Sequence, residues 1–174
     1  MSHIVVAPFS NSDIRDWPLE SFGQMIELML PRLAPTTHVH VVGTPNQKLR
    51  GCEVVRKLPA DRVTNDCGRF SWAELLVLLQ SADCVVGNNS GIGHLAGHYR
   101  VPTVCIFGGS HQRHEWRPLG DTVIMLSRVI GCSPCQLDHG GYSPYQKACL
   151  REISPAVVVD AAFEIMRRTE RRAA

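Results

Sequence analysis

The stretch Gly87-Asn88-Asn89-Ser90-Gly91-Ile92-Gly93-His94-Leu95-Ala96-Gly97 constrains the fold of this chain more than any other. In front of it stands Asp83-Cys84-Val85-Val86, a short apolar run behind a turn signal, which reads as a buried strand. Behind it the residues suit a helix. Asn88, Asn89 and Ser90 are N-cap types, and Gly91 and Gly93 let the backbone approach another group closely. A strand that passes through a small polar loop into a helix start turns unpaired N–H groups and the positive end of a helix dipole toward one point. That point favours an anion such as a diphosphate. An ordinary strand-to-helix turn that binds nothing has the same spacing, so the rest of the chain must decide between the two.

Around this motif strands and helices alternate. Ile4-Val5-Val6-Ala7 is a first buried strand, followed by a polar loop from Pro8 to Asp16. Asp16-Trp17-Pro18 opens a helix, with Asp16 as N-cap and Pro18 in the first turn. Phe22, Met25, Ile26, Met29, Leu30 and Leu33 form its core face; Pro31 strains the last turn and Pro35 closes the element. Val39-His40-Val41-Val42 is the second strand, and a strand or turn is expected within Cys52 to Leu58. Ser71-Trp72-Ala73-Glu74 is a capping-box pattern that starts a helix through Gln80. After the organising motif come strands at Thr103–Phe107 and Thr122–Leu126, then a Cys-containing loop over 127–153. Ser154-Pro155 starts a final helix, and Arg167 to Arg172 form a charged tail. This alternation predicts a single domain over 1–174, an α/β fold with a doubly wound, mainly parallel sheet. Ligands of such sheets bind outside the carboxyl ends of the strands. The loops expected there are Pro8–Asp16, Gly43–Gln47, Gly87–Gly93 and Gly108–Arg117, all rich in glycine and small polar residues.

Composition narrows the function classes. A net charge of +2 makes no case for nucleic acid or a membrane surface, and no apolar run reaches the length of a spanning helix. The chain starts almost directly in a strand, so no signal peptide is expected. The seven scattered cysteines suit a reducing cytosol and a cytoplasmic protein. Cys84 and Cys105, inside strands, read as small buried apolar residues.

The four loops resemble those of glycosyltransferase family 9, the ADP-heptose:lipopolysaccharide heptosyltransferases. The resemblance covers the C-terminal, Rossmann-like, nucleotide-sugar-binding half of that two-domain GT-B fold. It implies that Arg15, two before Trp17-Pro18, contacts the sugar-nucleotide diphosphate, where lysine is usual. Gly43-Thr44-Pro45-Asn46-Gln47 matches a Gly-x-Pro-x-Glu turn whose acid holds the ribose, so Gln47 takes that place without charge. Asn89-Ser90-Gly91-Ile92-Gly93-His94-Leu95 matches an Asp-Ser/Thr-Gly-x-x-His-Leu signature, with Asn89 in place of aspartate. By this match Ser90, Gly91 and the amides of Ile92 and Gly93 hold the diphosphate, and His94 orients it or braces the loop. Gly108-Gly109-Ser110, with Trp116-Arg117-Pro118-Leu119-Gly120, resembles a Gly-Pro-Thr…Gly-Pro-x-Gly segment and brings Gly109 and Ser110 to the donor. The resemblance implies metal-independent, inverting transfer from a nucleotide-diphospho-sugar, ADP-heptose or similar, to a saccharide such as lipopolysaccharide core. No cofactor is called for. The family's catalytic carboxylate lies in its N-terminal domain, which has no counterpart here, so the catalytic residue is not identified. Alone the chain is expected to bind donor and turn over slowly or not at all, as a fragment or with a separate N-terminal-type chain or further copies of itself.

Other residues bear alternatives. Arg113 and Arg117, with His111 and His114, form a basic cluster that suits a phosphate clamp or a solvated loop face. Cys132, Cys135, His139 and Cys149 have the ligand types of a Cys3His zinc site, but thiol packing or an occasional disulfide accounts for them more simply. Phe70 and Trp72 could cover a base, although core packing is the commoner fate of aromatics at a helix start. The rival function is a non-catalytic module that senses a sugar nucleotide or serves assembly. The substitutions at Arg15, Gln47 and Asn89 favour it. A sugar-nucleotide epimerase of related fold is a weaker third reading.

Overall fold

The computed structural model describes residues 2–137 and 145–173. Six strands form one sheet: β1 (His3–Ala7), β2 (His38–Val41), β3 (Val63–Asn65), β4 (Cys84–Asn88), β5 (Thr103–Phe107) and β6 (Val123–Ser127). Their order is β3-β2-β1-β4-β5-β6, and every neighbouring pair is parallel. The helices are α1 (Leu19–Met29), α2 (Lys48–Val55), α3 (Trp72–Ser81), α4 (Gly91–His98), α5 (Arg113–Trp116), α6 (Ala148–Arg151) and α7 (Pro155–Ala173). The expected doubly wound α/β architecture is therefore present. Among the described residues, no helix is long and apolar enough to cross a membrane.

The period of two along the strands divides the core. Ile4 and Val6 of β1, with Val39, Val41, Val86 and Ile106, face α1 and α7, and meet Phe22, Met25, Ile26, Val158, Ala162 and Ile165. Val5, Ala7 and Val85 face the other way, onto Leu79 of α3 and Ala96 of α4. Trp17 is fully buried, edge-on to Phe22 at 4.9 Å, and its indole N–H donates to the Ile153 carbonyl at 3.1 Å. That bond ties the loop after β1 to the approach of α7. Cys84 and Cys105 are buried as expected, and burial pushes both thiols up to about 12.

Several local expectations are corrected. Of the strand or turn expected within Cys52 to Leu58, the turn is present and the strand is not: Cys52 to Val55 complete α2, of which only Gly51 and Val54 are buried, and the Leu58 N–H then donates to the Val55 carbonyl at 2.9 Å. Asp16 does not cap α1, whose N-cap position is Pro18; its carboxylate is turned inward to other partners. α1 ends at Met29, and Leu30–Arg32 tighten into a 3-10 turn around Pro31. The basic residues from Arg167 form no tail. They lie on α7, where Glu164 pairs with Arg167 and Arg168 one turn away.

At Gly87 the sheet leaves no room for a side chain. A Cβ there would lie 2.5 Å from the Ala7 carbonyl oxygen, on the strand with which β4 pairs. Gly87→Ala is expected to destabilise the chain by about 1–3 kcal/mol, because backbone rather than a mobile side chain must move. Urea unfolding of the two proteins checks this.

Candidate functional site

The carboxyl ends of β1, β2 and β4 open onto a cavity of about 620 Å³, within the range of small-molecule sites. All four loops expected there line it, the fourth by a single residue. The first contributes Phe9, Ser10, Asn11 and Arg15; the second Gly43, Thr44, Pro45 and Gln47; the third Asn89, Ser90, Gly91, Ile92 and His94. The fourth contributes Trp116. A further wall comes from Asp66, Gly68 and Phe70 after β3 and from Trp72 and Leu75 of α3, of which the sequence offers only Phe70 and Trp72, as a possible cover for a base. Gly68 adopts φ +76, and a Cβ on it would meet the Pro45 backbone at 2.7 Å, so glycine alone closes this corner.

The cavity has two unlike ends. Toward β2 and β3 its wall is largely apolar, from Phe9, Val42, Pro45, Phe70, Trp72 and Leu75, with Thr44, Gln47 and Asp66 as the polar residues there. Trp72 is 73 % exposed and stands at the cavity instead of packing in the core. Toward β4 the cavity is polar. Ser90 occupies the N-cap position of α4, yet its hydroxyl makes no cap bond. Three polar atoms of the lining residues are buried without a hydrogen-bond partner: Arg15 Nε, Asn89 Oδ1 and Ser90 Oγ. Buried polar groups are nearly always satisfied, so three orphans around one cavity, beside the α4 N-terminus, mark a place prepared for a polar ligand. Arg15 is steadied by a bond from its guanidinium to Asn11 Oδ1. Gln47 gives its side-chain oxygen to the Thr44 N–H at 2.8 Å, which leaves its NH2 as the group it can offer.

The carboxylate of Asp66 is committed. It accepts bonds from His40 Nδ1 (2.7 Å), Thr64 Oγ1 (2.8 Å) and Arg69 (2.8 Å). Burial works to raise its pKa, but these bonds together hold it below the ordinary carboxylate value. His40 Nε2 lies 3.1 Å from His3 Nδ1, within hydrogen-bond distance, and Thr64 Oγ1, which donates to Asp66, accepts from His38 Nε2 at 3.1 Å. Burial, then the neighbouring His40, lowers the pKa of His38.

The structure thus brings Arg15, Gln47, Asn89, Ser90, Gly91, Ile92 and His94 together, while Gly93, Gly109, Ser110 and Arg117 stand outside the cavity lining. Gly93 is buried beneath Pro118. Gly109 and Ser110 give their carbonyls to the N–H groups of Cys135 and Gln136, and the Gly109 N–H points at Cys149 Sγ, so both serve the Cys-containing segment. Arg117 is exposed and does not line the cavity, where its neighbour Trp116 stands instead. The side chain of Arg113 and the whole of His139 lie outside the described residues. Cys132, Cys135 and Cys149 gather around Gly109. Burial, then the neighbouring Cys135 and Cys149, raises the Cys132 pKa. Among the described residues no group of three His, Cys, Asp or Glu is placed to hold a metal ion.

Two stability measurements check this account. Ser90→Ala removes a hydroxyl that makes no bond and is expected to leave unfolding free energy nearly unchanged. Ser71→Ala removes the realised cap of α3, where Ser71 and Glu74 bond reciprocally, and is expected to cost about 1 kcal/mol. Because the folded-state pKa of Asp66 is depressed, its contribution is present at neutral pH and lost as pH falls through that lowered value. Asp66→Asn is therefore expected to flatten the acid limb of the stability profile, measured by denaturant unfolding across pH.

A model of glycosyltransferase family 9 (heptosyltransferase) matches residues 2–145. The lipopolysaccharide heptosyltransferase 3 of Escherichia coli (strain K12) is 23% identical over 126 residues, which are 71% of this chain and 36% of that protein. Among solved structures, the E. coli ADP-heptose lipopolysaccharide heptosyltransferase II superposes with a TM-score of 0.81 at 17% identity, covering 97% of this chain and 47% of the other. The E. coli heptosyltransferase WaaC with ADP gives 0.70 at 16%, covering 94% and 44%. The chain thus spans about a third of that curated relative and under half of these structures. Because that family model matches well over half of its residues, the chain belongs to glycosyltransferase family 9, the heptosyltransferases.

Proposed function

We propose that this chain is the donor-binding part of a glycosyltransferase, and that its cavity holds a nucleotide-diphospho-sugar, ADP-heptose or similar, for transfer to a saccharide acceptor such as lipopolysaccharide core. The observation that carries this is the trio of orphaned atoms on Arg15, Asn89 and Ser90, set against the N-terminus of α4. Arg15 and the first amides of α4 suit the diphosphate, whose charge grows as the sugar bond breaks. Asn89 Oδ1, an acceptor, suits a hydroxyl of the ligand. The apolar end beside Phe70 and Trp72 suits the base, with the Gln47 NH2 near the ribose. A cytoplasmic location agrees with the reading, since a nucleotide-activated donor is the ligand.

Sugar transfer also needs a base within reach of the attacking hydroxyl. Among the described residues Asp66 is the one carboxylate lining the cavity, and its bonds to His40, Thr64 and Arg69 leave it unsuited to that task. This favours a donor module that completes its site with a separate N-terminal-type domain or another copy of the chain. It equally fits the second reading, a sugar-nucleotide-binding module without catalysis.

Calorimetric titration with ADP, UDP and GDP tests the proposal. Binding of at least one is expected; no binding to any of them removes it. Ser90→Asp places a carboxylate against the diphosphate and is expected to abolish that binding, and an unchanged affinity would show that the anion sits elsewhere.

A further inference from the structure

A buried carboxylate stands directly behind the proposed anion site, where charge alone would make it unwelcome. Asp16 is 5% exposed and follows Arg15 in the chain. Its Oδ1 accepts from the Ser10 N–H (2.8 Å), the Ser10 hydroxyl (2.7 Å) and Asn88 Nδ2 (3.3 Å). Its Oδ2 accepts from the Arg50 guanidinium at 2.9 Å, and that guanidinium also lies 5.0 Å over the Phe9 ring. Asn88 is 1% exposed and precedes Asn89 and Ser90. Its Nδ2 donates to the Pro8 carbonyl at 2.6 Å, and its Oδ1 accepts from the Trp17 N–H at 3.0 Å.

From this geometry we infer that Asp16, Asn88 and Arg50 form a positioning brace for the diphosphate. The brace rests on the donor-site reading above and deepens it. Asp16 and Asn88 join the end of β1 to the end of β4 by side-chain bonds. Each is the immediate chain neighbour of a cavity-lining residue that carries an orphaned atom, Arg15 beside Asp16 and Asn89 beside Asn88. The brace thereby sets the separation between the Arg15 cation and the Asn89–Ser90 turn, a distance that neither loop fixes alone. Arg50 offsets the Asp16 charge, so the carboxylate works as a multiple acceptor without repelling the ligand. Burial keeps these charge-assisted bonds strong, which suits a part that must hold still. Asp16, Asn88 and Arg50 act through their neighbours and are positioning residues.

The test measures ADP by calorimetry and adenosine by ligand-observed NMR, on the wild-type chain, Asp16→Asn and Arg50→Gln. Adenosine reports the base and ribose end; ADP adds the diphosphate. The brace predicts that Asp16→Asn weakens ADP about tenfold, as expected for bonds to a charged group, with adenosine nearly unmoved. Arg50→Gln, at a partly exposed side chain that the fold can spare, is expected to weaken ADP in the same selective way by uncovering the carboxylate. Equal or tighter ADP binding by Asp16→Asn would mean that its charge merely opposes the ligand, and would overturn the brace. ADP and adenosine falling in step in both variants would overturn it as well, since general damage to the fold does that. Should Asp16→Asn fail to fold, unchanged ADP binding in Arg50→Gln overturns it alone. A wild-type chain that binds neither ligand counts against the donor site itself, whereas a wild type that binds ADP with variants like it counts only against the brace.

Discussion

The parallel pairing of β1 with β4 is the constraint from which the rest follows. β1 sends its chain to α1 on one face of the sheet, and β4 sends its chain to α4 on the other. The two connections diverge, and a crevice opens between them at the carboxyl edge. The close approach of Gly87 to Ala7 keeps the strands tight up to that edge, so the crevice begins abruptly rather than as a frayed end. Everything that makes a site here, the α4 N-terminus, the loop bearing Arg15 and the brace beneath them, borrows its position from that one pairing.

The site divides its work between groups that are satisfied and groups that are not. Asp16, Asn88 and Asp66 are buried with several partners each, and they make rigid walls. Arg15 Nε, Asn89 Oδ1 and Ser90 Oγ are buried with none, and they carry the desolvation cost of waiting for a ligand. Such a cost is tolerable only where neighbouring structure is over-determined, which the bonds around Asp16 and Asn88 supply. The alternation of full and empty hydrogen-bond capacity along Arg15-Asp16 and Asn88-Asn89-Ser90 is therefore one physical arrangement.

How much was legible in the sequence depended on how local each feature is. The Ser71–Glu74 capping box and the apolar runs of β1, β4 and β5 are local signals, and the structure shows them where they were read. The loop motif around Ser90 was legible for the same reason. α2 was missed because Lys48–Val55 buries only Gly51 and Val54, too little for a helical stripe, and β3 because three residues show no period. Asp16 misled because an aspartate before Trp-Pro has the local form of an N-cap, while its partners lie on Ser10, Arg50 and Asn88. Gly109 and Ser110 resemble a ligand loop in sequence, yet a distant segment at Cys135 and Cys149 claims their backbone. Of the wall formed by Gly68, Phe70 and Trp72, the sequence offers the two aromatics as a cover for a base but favours core packing, because nothing local shows that the pairing of β2 with β3 brings them to the site.

The chain carries three tryptophans, and their placement is unequal. Trp17 is sealed in the core, while Trp72 and Trp116 are exposed and line the cavity. Light absorbed by this protein is thus emitted from one indole blind to the solvent and two that face it. The sealed indole acts as an internal standard, and the pair lining the cavity supplies an intrinsic optical gauge of whether the crevice is wet or filled.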